Sequence, residues 1–214
     1  MSGIDTNGKR LFIARHGETI FNLAGRIQGE HLHTPLTRTG FAQADAMGQA
    51  LALHLAGETL MLDLIASDTD RALQTLSVIS EHLGADWHQT RSDARLREID
   101  MGEWGGVFYR DLGGKLAIDE EDRLFATVAP GGEDYRDIAK RLEHWLSEQD
   151  FSRDAVLISH GMTSRVLRAM LVGADPHPRF GAPIAKGLPQ GSIVQICDGQ
   201  EEIIHIGGGE GEKA

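Results

Sequence analysis

Two apolar runs, each ending on a histidine followed by glycine, constrain this chain more than any other feature of it. Leu11-Phe12-Ile13-Ala14 runs into Arg15-His16-Gly17, and Val156-Leu157-Ile158-Ser159 runs into His160-Gly161. Of the ten histidines, only His16 and His160 precede a glycine. An apolar run of this length, bounded by a turn signal, reads as a strand buried on both faces. The polar residues then sit where each strand leaves the sheet, and in open α/β sheets the carboxyl ends of strands are where ligands bind. Two imidazoles so placed, with Arg15 beside one of them, point to a phosphate site.

The sequence between and around these runs alternates in period. Thr37 can cap a helical pattern through Phe41, Ala44, Met47, Leu51 and Leu55. Leu62 to Ala66 reads as a second short strand. It leads into Ser67-Asp68-Thr69-Asp70-Arg71 and a second helical pattern, Ala72, Leu73, Leu76, Ile79 and Leu83. Trp87 to Arg91 is a weak strand candidate. Residues 108–129 show only helical fragments broken by Gly113-Gly114, and an acidic run, Glu120-Glu121-Asp122, that reads as a solvated face. Tyr135, Ile138, Ala139, Leu142, Trp145 and Leu146 trace the clearest amphipathic helix. A further helix is predicted from about Ser164 to Leu171, and Asp198-Gly199 between two apolar runs reads as a hairpin turn. This order predicts an α/β fold: a three-layer sandwich with a mostly parallel central sheet, helices on both faces and a late antiparallel hairpin at the edge. Residues 1–214 read as one domain, with the glycine-rich 207–214 as a loose tail.

A net charge of -11 argues against a nucleic-acid or anionic-membrane surface, so any anion site must be basic against the overall field. Met1 to Arg10 lacks the apolar core of a signal peptide, and no run approaches the ~18 apolar residues of a membrane span. The single cysteine, Cys197, fits a reducing compartment and reads as a buried strand residue. The chain therefore reads as cytoplasmic. No sequence feature marks an interface, so a homo-oligomer is neither indicated nor excluded.

A phosphoryl group in transfer spreads its charge over three oxygens, so catalysis there is largely positioning and charge stabilisation. Arg15 and Arg71 are the candidates to grip those oxygens with a planar, permanently charged fork. A neutral imidazole can attack phosphorus and carry the group, while a second, cationic histidine would donate to the transferring oxygens. Glu98, in the loop Leu96 to Gly106, could supply the leaving group's proton. Neither glycine-rich phosphate-loop signature is present. His31-x-His33 could be read as metal ligands but has no carboxylate or cysteine cluster beside it, so a solvated loop is favoured. Trp104 and Tyr109 read as packing residues.

Arg15-His16-Gly17-Glu18-Thr19 resembles the signature of the histidine phosphatase superfamily, also called the phosphoglycerate mutase-like family. Four further blocks follow in the family's order: Asn22-x-x-x-Arg26-x-Gln28-Gly29 with Pro35-Leu36-Thr37-x-x-Gly40, Ser67-Asp68-x-x-Arg71-Ala72, Leu96-Arg97-Glu98-x-x-x-Gly102-x-Trp104, and Ser159-His160-Gly161. The resemblance implies His16 as the phosphorylated nucleophile and Glu98 as proton donor. It implies Arg15, Arg71 and His160 as the phosphate pocket, with Asn22, Gln28 and the Gly161 amide as further contacts. Arg26 reads either as a phosphate contact or as part of a structural ion pair. No metal is expected, and 2,3-bisphosphoglycerate only for a mutase. His33 stands where the family often has aspartate. Residues 108–130 are short and acidic where mutases carry a long lysine- and proline-rich insertion, which favours hydrolysis of a small phosphorylated metabolite over a mutase reaction. A non-catalytic phosphate-ester binding protein is the alternative of another class.

Overall fold

A computed structural model describes residues 3–58 and 61–208. In chain order its elements are β1 (Leu11–Arg15), α1 (Ile20–Ala24), α2 (Arg38–His54), β2 (Asp63–Ala66), α3 (Asp70–Leu83), β3 (Arg91–Ser92), α4 (Tyr109–Leu112), β4 (Ile118–Asp119), β5 (Leu124–Phe125), α5 (Tyr135–Ser147), β6 (Ala155–Ser159), α6 (Gly161–Val172), β7 (Ile193–Cys197) and β8 (Gln200–His205). The central sheet has the order β3-β2-β6-β1-β7-β8. Its first four strands are parallel, while β7 and β8 run antiparallel at one edge.

The strand period of two sorts the core into the two outer layers. Phe12 and Ala14 of β1, with Val156 and Ile158 of β6, pack against Met47 and Leu51 of α2 and Leu76 and Ile79 of α3. Leu11, Ile13 and Leu157 face the other way, onto Ile138 and Leu142 of α5 and Val166 and Leu167 of α6. Burying every residue of β1 and β6 explains why both read as continuous apolar runs. At about 1.5–3 kcal/mol for each large side chain, these strands form the stable frame of the molecule.

The loop after β1 is held by a close backbone crossing. A side chain at Gly17 would come within 2.3 Å of the Gly40 carbonyl oxygen, and one at Gly40 within 2.0 Å of the Glu18 carbonyl oxygen. Thr37 caps α2 by accepting from the Gly40 amide, and its hydroxyl donates to the Glu18 carboxylate at 2.6 Å. The first turn of α2 is thereby seated directly on the residues following His16.

The three-layer arrangement and the edge hairpin are as the sequence predicts, and Asp198-Gly199 takes positive φ at both residues, the geometry of a two-residue hairpin turn. Elsewhere the structure differs. Residues 118–125 form a small two-stranded sheet, and Trp87–Gln89 is a single 3-10 turn before the two-residue β3. The last of the predicted helices starts at Gly161, with His160 as its N-cap. Cys197 is half-buried rather than buried. Gly207 does not belong to a loose tail: it is buried, and its amide donates to the Ser192 hydroxyl at 3.0 Å. Residues 209–214 lie outside the described residues.

The crossing at Gly17 and Gly40 gives a direct test. Gly40→Ala must push the loop off the helix, and overpacking of this kind costs about 1–3 kcal/mol. We expect a corresponding fall in stability by denaturant unfolding, together with loss of any activity that depends on His16. An alanine variant as stable as the parent would contradict the crossing.

Candidate active site

The parallel register of β1 and β6 assembles the centre of the site. Arg15 pairs with Ser159, and the His16 amide continues the ladder by donating to the Ser159 carbonyl at 3.1 Å. His16 and His160 are each one residue further on, so they emerge side by side, their rings 5.1 Å apart between centroids at 61°. Strand β2 is the other neighbour of β6, and Arg71 lies in the first turn of the helix that follows it. Glu98 is on the loop that leaves β3, the next strand along. All four groups thus come from the carboxyl ends of adjacent parallel strands, where the sheet leaves a crevice.

Hydrogen-bond partners fix the protonation of both imidazoles. His16 Nδ1 lies 2.7 Å from the Gly17 carbonyl, which can only accept, so Nδ1 carries the hydrogen and Nε2 is left with its lone pair. The Arg71 Nε–H can only donate, and it donates to His160 Nδ1 at 3.1 Å, so His160 carries its hydrogen on Nε2. Burial, then Arg71, then Arg15 hold the His16 pKa well below its usual value, against a smaller opposing effect of the Gly17 carbonyl. His160 is held well below its usual value by burial, then by Arg71, His16, Arg141 and Arg15. The expected cationic partner histidine is therefore a neutral donor in the free protein: full desolvation and an arginine in direct contact outweigh any benefit of the charge. His160 Nε2 is buried and has no hydrogen-bond partner among the described residues. A buried donor left unmade costs about 1–3 kcal/mol, which marks this atom as made for an anionic or polar ligand.

Arg71 is fully buried and largely committed to the protein. Nη1 donates to the His31 carbonyl and the Thr34 hydroxyl, both at 2.7 Å, and Nη2 to the Gly29 carbonyl at 2.8 Å. Burial lowers its pKa to about 10, which leaves it charged at neutral pH. It therefore locks the residue 29–34 loop onto His160 while adding a fixed positive charge at the pocket wall.

Arg15, His16, Asn22, Arg26, Gln28, Arg71 and Glu98 line one pocket, with Ile99, Met101, Tyr109 and Phe125 completing its wall. His160 lies behind it. Gly161 faces an adjoining cavity that it shares with Arg15. Asn22 Oδ1 accepts from the Thr19 amide and from Gln190 Nε2, and Gln28 Oε1 accepts from the Thr19 hydroxyl at 2.8 Å. With their oxygens so engaged, both amide side chains have N–H groups to offer a ligand. Arg26 is not in an ion pair among the described residues: Nη1 donates to the Gly106 carbonyl and the guanidinium stacks 3.8 Å from the Phe108 ring centroid. His31 packs on Phe21 and His33 faces Asp70, so the two do not converge. Trp104 is core, whereas Tyr109 faces the pocket.

Glu98 is held by backbone. Its Oε1 accepts from the amides of Ile99, Met162 and Thr163 at 2.9, 3.1 and 3.1 Å, so the first turn of α6 seats the carboxylate beside the histidines.

Residues 11–205 of this chain match the histidine phosphatase superfamily (branch 1). The chain belongs to the histidine phosphatase superfamily. Among its relatives is a glucosyl-3-phosphoglycerate phosphatase of Mycobacterium tuberculosis, 33% identical over 205 residues, covering 88% of this chain and 85% of the relative. A Yersinia enterocolitica protein named "Probable phosphoglycerate mutase GpmB" is 30% identical over 174 residues, covering 78% and 77% of the two chains. A solved mycobacterial glucosyl-3-phosphoglycerate phosphatase, in complex with VO3, superposes with a TM-score of 0.69 at 28% identity over 94% of this chain and all of that one. The protein is an enzyme of this superfamily.

Within this histidine phosphatase, the sequence reading missed the clamp that holds the Glu98 loop. Arg141 of α5 donates to both carboxylate oxygens of Glu133, to the Arg95 carbonyl and, at 3.2 Å, to the Thr163 hydroxyl. The Thr163 hydroxyl in turn donates to the Arg97 carbonyl at 2.6 Å, and Glu133 accepts from the Asp100 amide at 3.0 Å. Arg97 itself is paired bidentately with Asp68, at 2.7 and 2.5 Å. One signal for this existed: Arg141 sits three residues after Ile138 and four before Trp145, inside the apolar stripe of its helix, where a charge needs partners.

Because both histidines are neutral when folded, the unfolded chain binds more protons below its histidine pKa of about 6.5. Stability contributed by the depressed pair is complete above that pH and is lost as pH falls below it, with a slope up to about 2.7 kcal/mol per unit for two protons. Denaturant unfolding of ligand-free protein from pH 7.5 to 5 should show this loss, and His16→Gln/His160→Gln should flatten it. Equal slopes in the two proteins would contradict a neutral buried pair.

Proposed function

We propose that this enzyme is a phosphomonoesterase working through a phosphohistidine on His16. The observation that carries the reading is the opposed tautomer pair: a lone pair on His16 Nε2 and a hydrogen on His160 Nε2, in one buried site. His16 Nε2 attacks phosphorus, the P–O ester bond breaks, and the leaving oxygen takes a proton from Glu98. The ring that gains the phosphoryl group becomes cationic, and its Nδ1–H···O=C bond to Gly17 strengthens at that moment. Arg15, Arg71 and His160 Nε2–H stabilise the transferring oxygens, with Asn22, Gln28 and Arg26 at the pocket wall. Water then attacks the phosphohistidine, giving its proton to Glu98 and releasing inorganic phosphate and free His16. No metal enters this scheme, and 2,3-bisphosphoglycerate would be needed only by a mutase.

Hydrolysis is supported over mutase transfer by the short residue 108–130 segment and by the relatives named as phosphatases. No helix among the described residues is long and apolar enough to cross a membrane. With a single cysteine, we place the enzyme in the cytoplasm.

Phosphate release should be followed over a panel of phosphorylated sugars, glycerates, glucosylated phosphoglycerate and an aryl phosphate, with chelator present. Release should fall by a factor of at least about 10³ in His16→Ala, the scale of losing a covalent nucleophile. Brief incubation with a phosphorus-labelled ester should leave label on the wild-type chain and none on that variant. Label that persists in His16→Ala would refute the assignment. Transfer of the group to a second glycerate hydroxyl, with no free phosphate, would establish the mutase reaction instead.

A further inference from the structure

Residues 188–192 lie beyond the last of the sequence blocks, yet they run beside the loop that follows β1. The Leu188 carbonyl accepts from Arg15 Nη1 at 3.1 Å, and the Ser192 carbonyl accepts from the Arg15 amide at 3.2 Å. Between these two contacts is Gln190, only 5% exposed, whose Nε2 donates to Asn22 Oδ1 at 2.7 Å. The backbone at Gln190 is closely confined. Gly191 has φ of 76°, and a side chain there would come within 2.9 Å of Gln43 Cβ. One at Gly207 would come within 2.0 Å of the Gln190 carbonyl oxygen. Two glycines thus let the chain hold a buried amide against Asn22.

The hydrogens around Thr19 are too few for every acceptor there. Its buried hydroxyl carries a single hydrogen and lies 2.9 Å from Asn22 Oδ1 and 2.8 Å from Gln28 Oε1, so it can serve only one of them. The Thr19 amide can only donate, and it points at Asn22 at 3.1 Å. The Asn22 atom facing it is therefore the oxygen, and what Gln190 brings to that oxygen is an N–H. An amide oxygen has two lone pairs. With the Thr19 amide on one and Gln190 on the other, Asn22 Oδ1 is full, and the hydroxyl hydrogen goes to Gln28 Oε1. Asn22 Nδ2 and Gln28 Nε2 are then the groups left for the pocket that both residues line. Without the Gln190 donor, the hydroxyl is drawn to Asn22, and Gln28 can turn its Nε2 onto the Thr19 oxygen and away from the pocket.

We propose that Gln190 is a positioning residue for the phosphate site, orienting the Asn22 amide by direct contact and the Gln28 amide through Thr19. The inference rests on the reading of the His16 pocket as the phosphate site. Gln190 is not among the residues that line that pocket; it decides which end of two other amides meets the anion. The choice matters because an N–H attracts an anionic oxygen and an amide carbonyl repels it.

The probe is inorganic phosphate, titrated calorimetrically and in nitrogen-15 spectra of the side-chain amides. Gln190→Met keeps the length and the apolar stem and removes the donor. It should weaken phosphate binding about tenfold, the scale of a lost hydrogen bond to a charged group. The Gln28 amide signal, which should shift with phosphate in the parent protein, should no longer respond. In Asn22→Ala protein the Thr19 hydroxyl has only Gln28 to serve, so adding Gln190→Met there should change the affinity by less than about twofold. A merely structural role would carry the full loss into both backgrounds, and that result would overturn the proposal. A Gln28 amide that responds equally with and without Gln190 would overturn it too. Parent protein that binds no phosphate would remove the phosphate-site reading and this role with it. Parent protein that binds phosphate, with Gln190→Met binding it as tightly, would remove the role alone.

Discussion

Everything at this site depends on the parallel pairing of β1 with β6 in one register. A shift of one residue would turn Phe12 and Ala14 toward the wrong layer and carry His16 to the opposite face from His160. The same core burial that stabilises the sheet therefore fixes the distance between the two imidazoles. Function at the strand ends is an outcome of packing along the strand bodies, which is why the reactive residues follow the most apolar segments of the chain.

Electrostatics at the centre follow from that burial. Two imidazoles and Arg71 share one buried space, and burial together with the guanidinium's charge keeps both histidines neutral. Arg71 sets the chemistry through geometry as well: its Nε fixes the His160 tautomer, and its other nitrogens tie down the loop that carries Gln28. Glu98 is held differently, by the amides of α6 and by a clamp from Arg141, Glu133 and Thr163. His16 and Glu98 thus rest on separate supports, a strand end and a helix end, and meet only in the pocket.

Much of this was legible in the sequence where local signals agree with tertiary ones. The strand runs, the Thr37 cap, the stripe of α5 and the Asp198-Gly199 turn each combine a propensity with a burial pattern, and each forms. The ordered blocks from Arg15 to Gly161 named the family, and the structure brings most of their polar residues together around one pocket. What was illegible depends on contacts distant in sequence. The β4–β5 hairpin has two-residue strands and an acidic turn, and it is held by pairs such as Arg179 with Asp119 that no local pattern records. The charge state of His160 could not be read from its neighbours in the chain, because it is set by burial in the folded core and then by Arg71, 89 residues away. Gly207 looks like tail until its contact with Ser192 is seen.

The site presents two neutral histidines in opposite tautomers, one with a bare Nε2 and the other with a hydrogen on it. Nitrogen-15 spectra of the imidazole rings, assigned with single histidine variants, read this directly in the ligand-free enzyme near pH 7. His16 should show a protonated Nδ1 and a bare Nε2, with the reverse on His160. A cationic ring at either position, or the same tautomer on both, would contradict it.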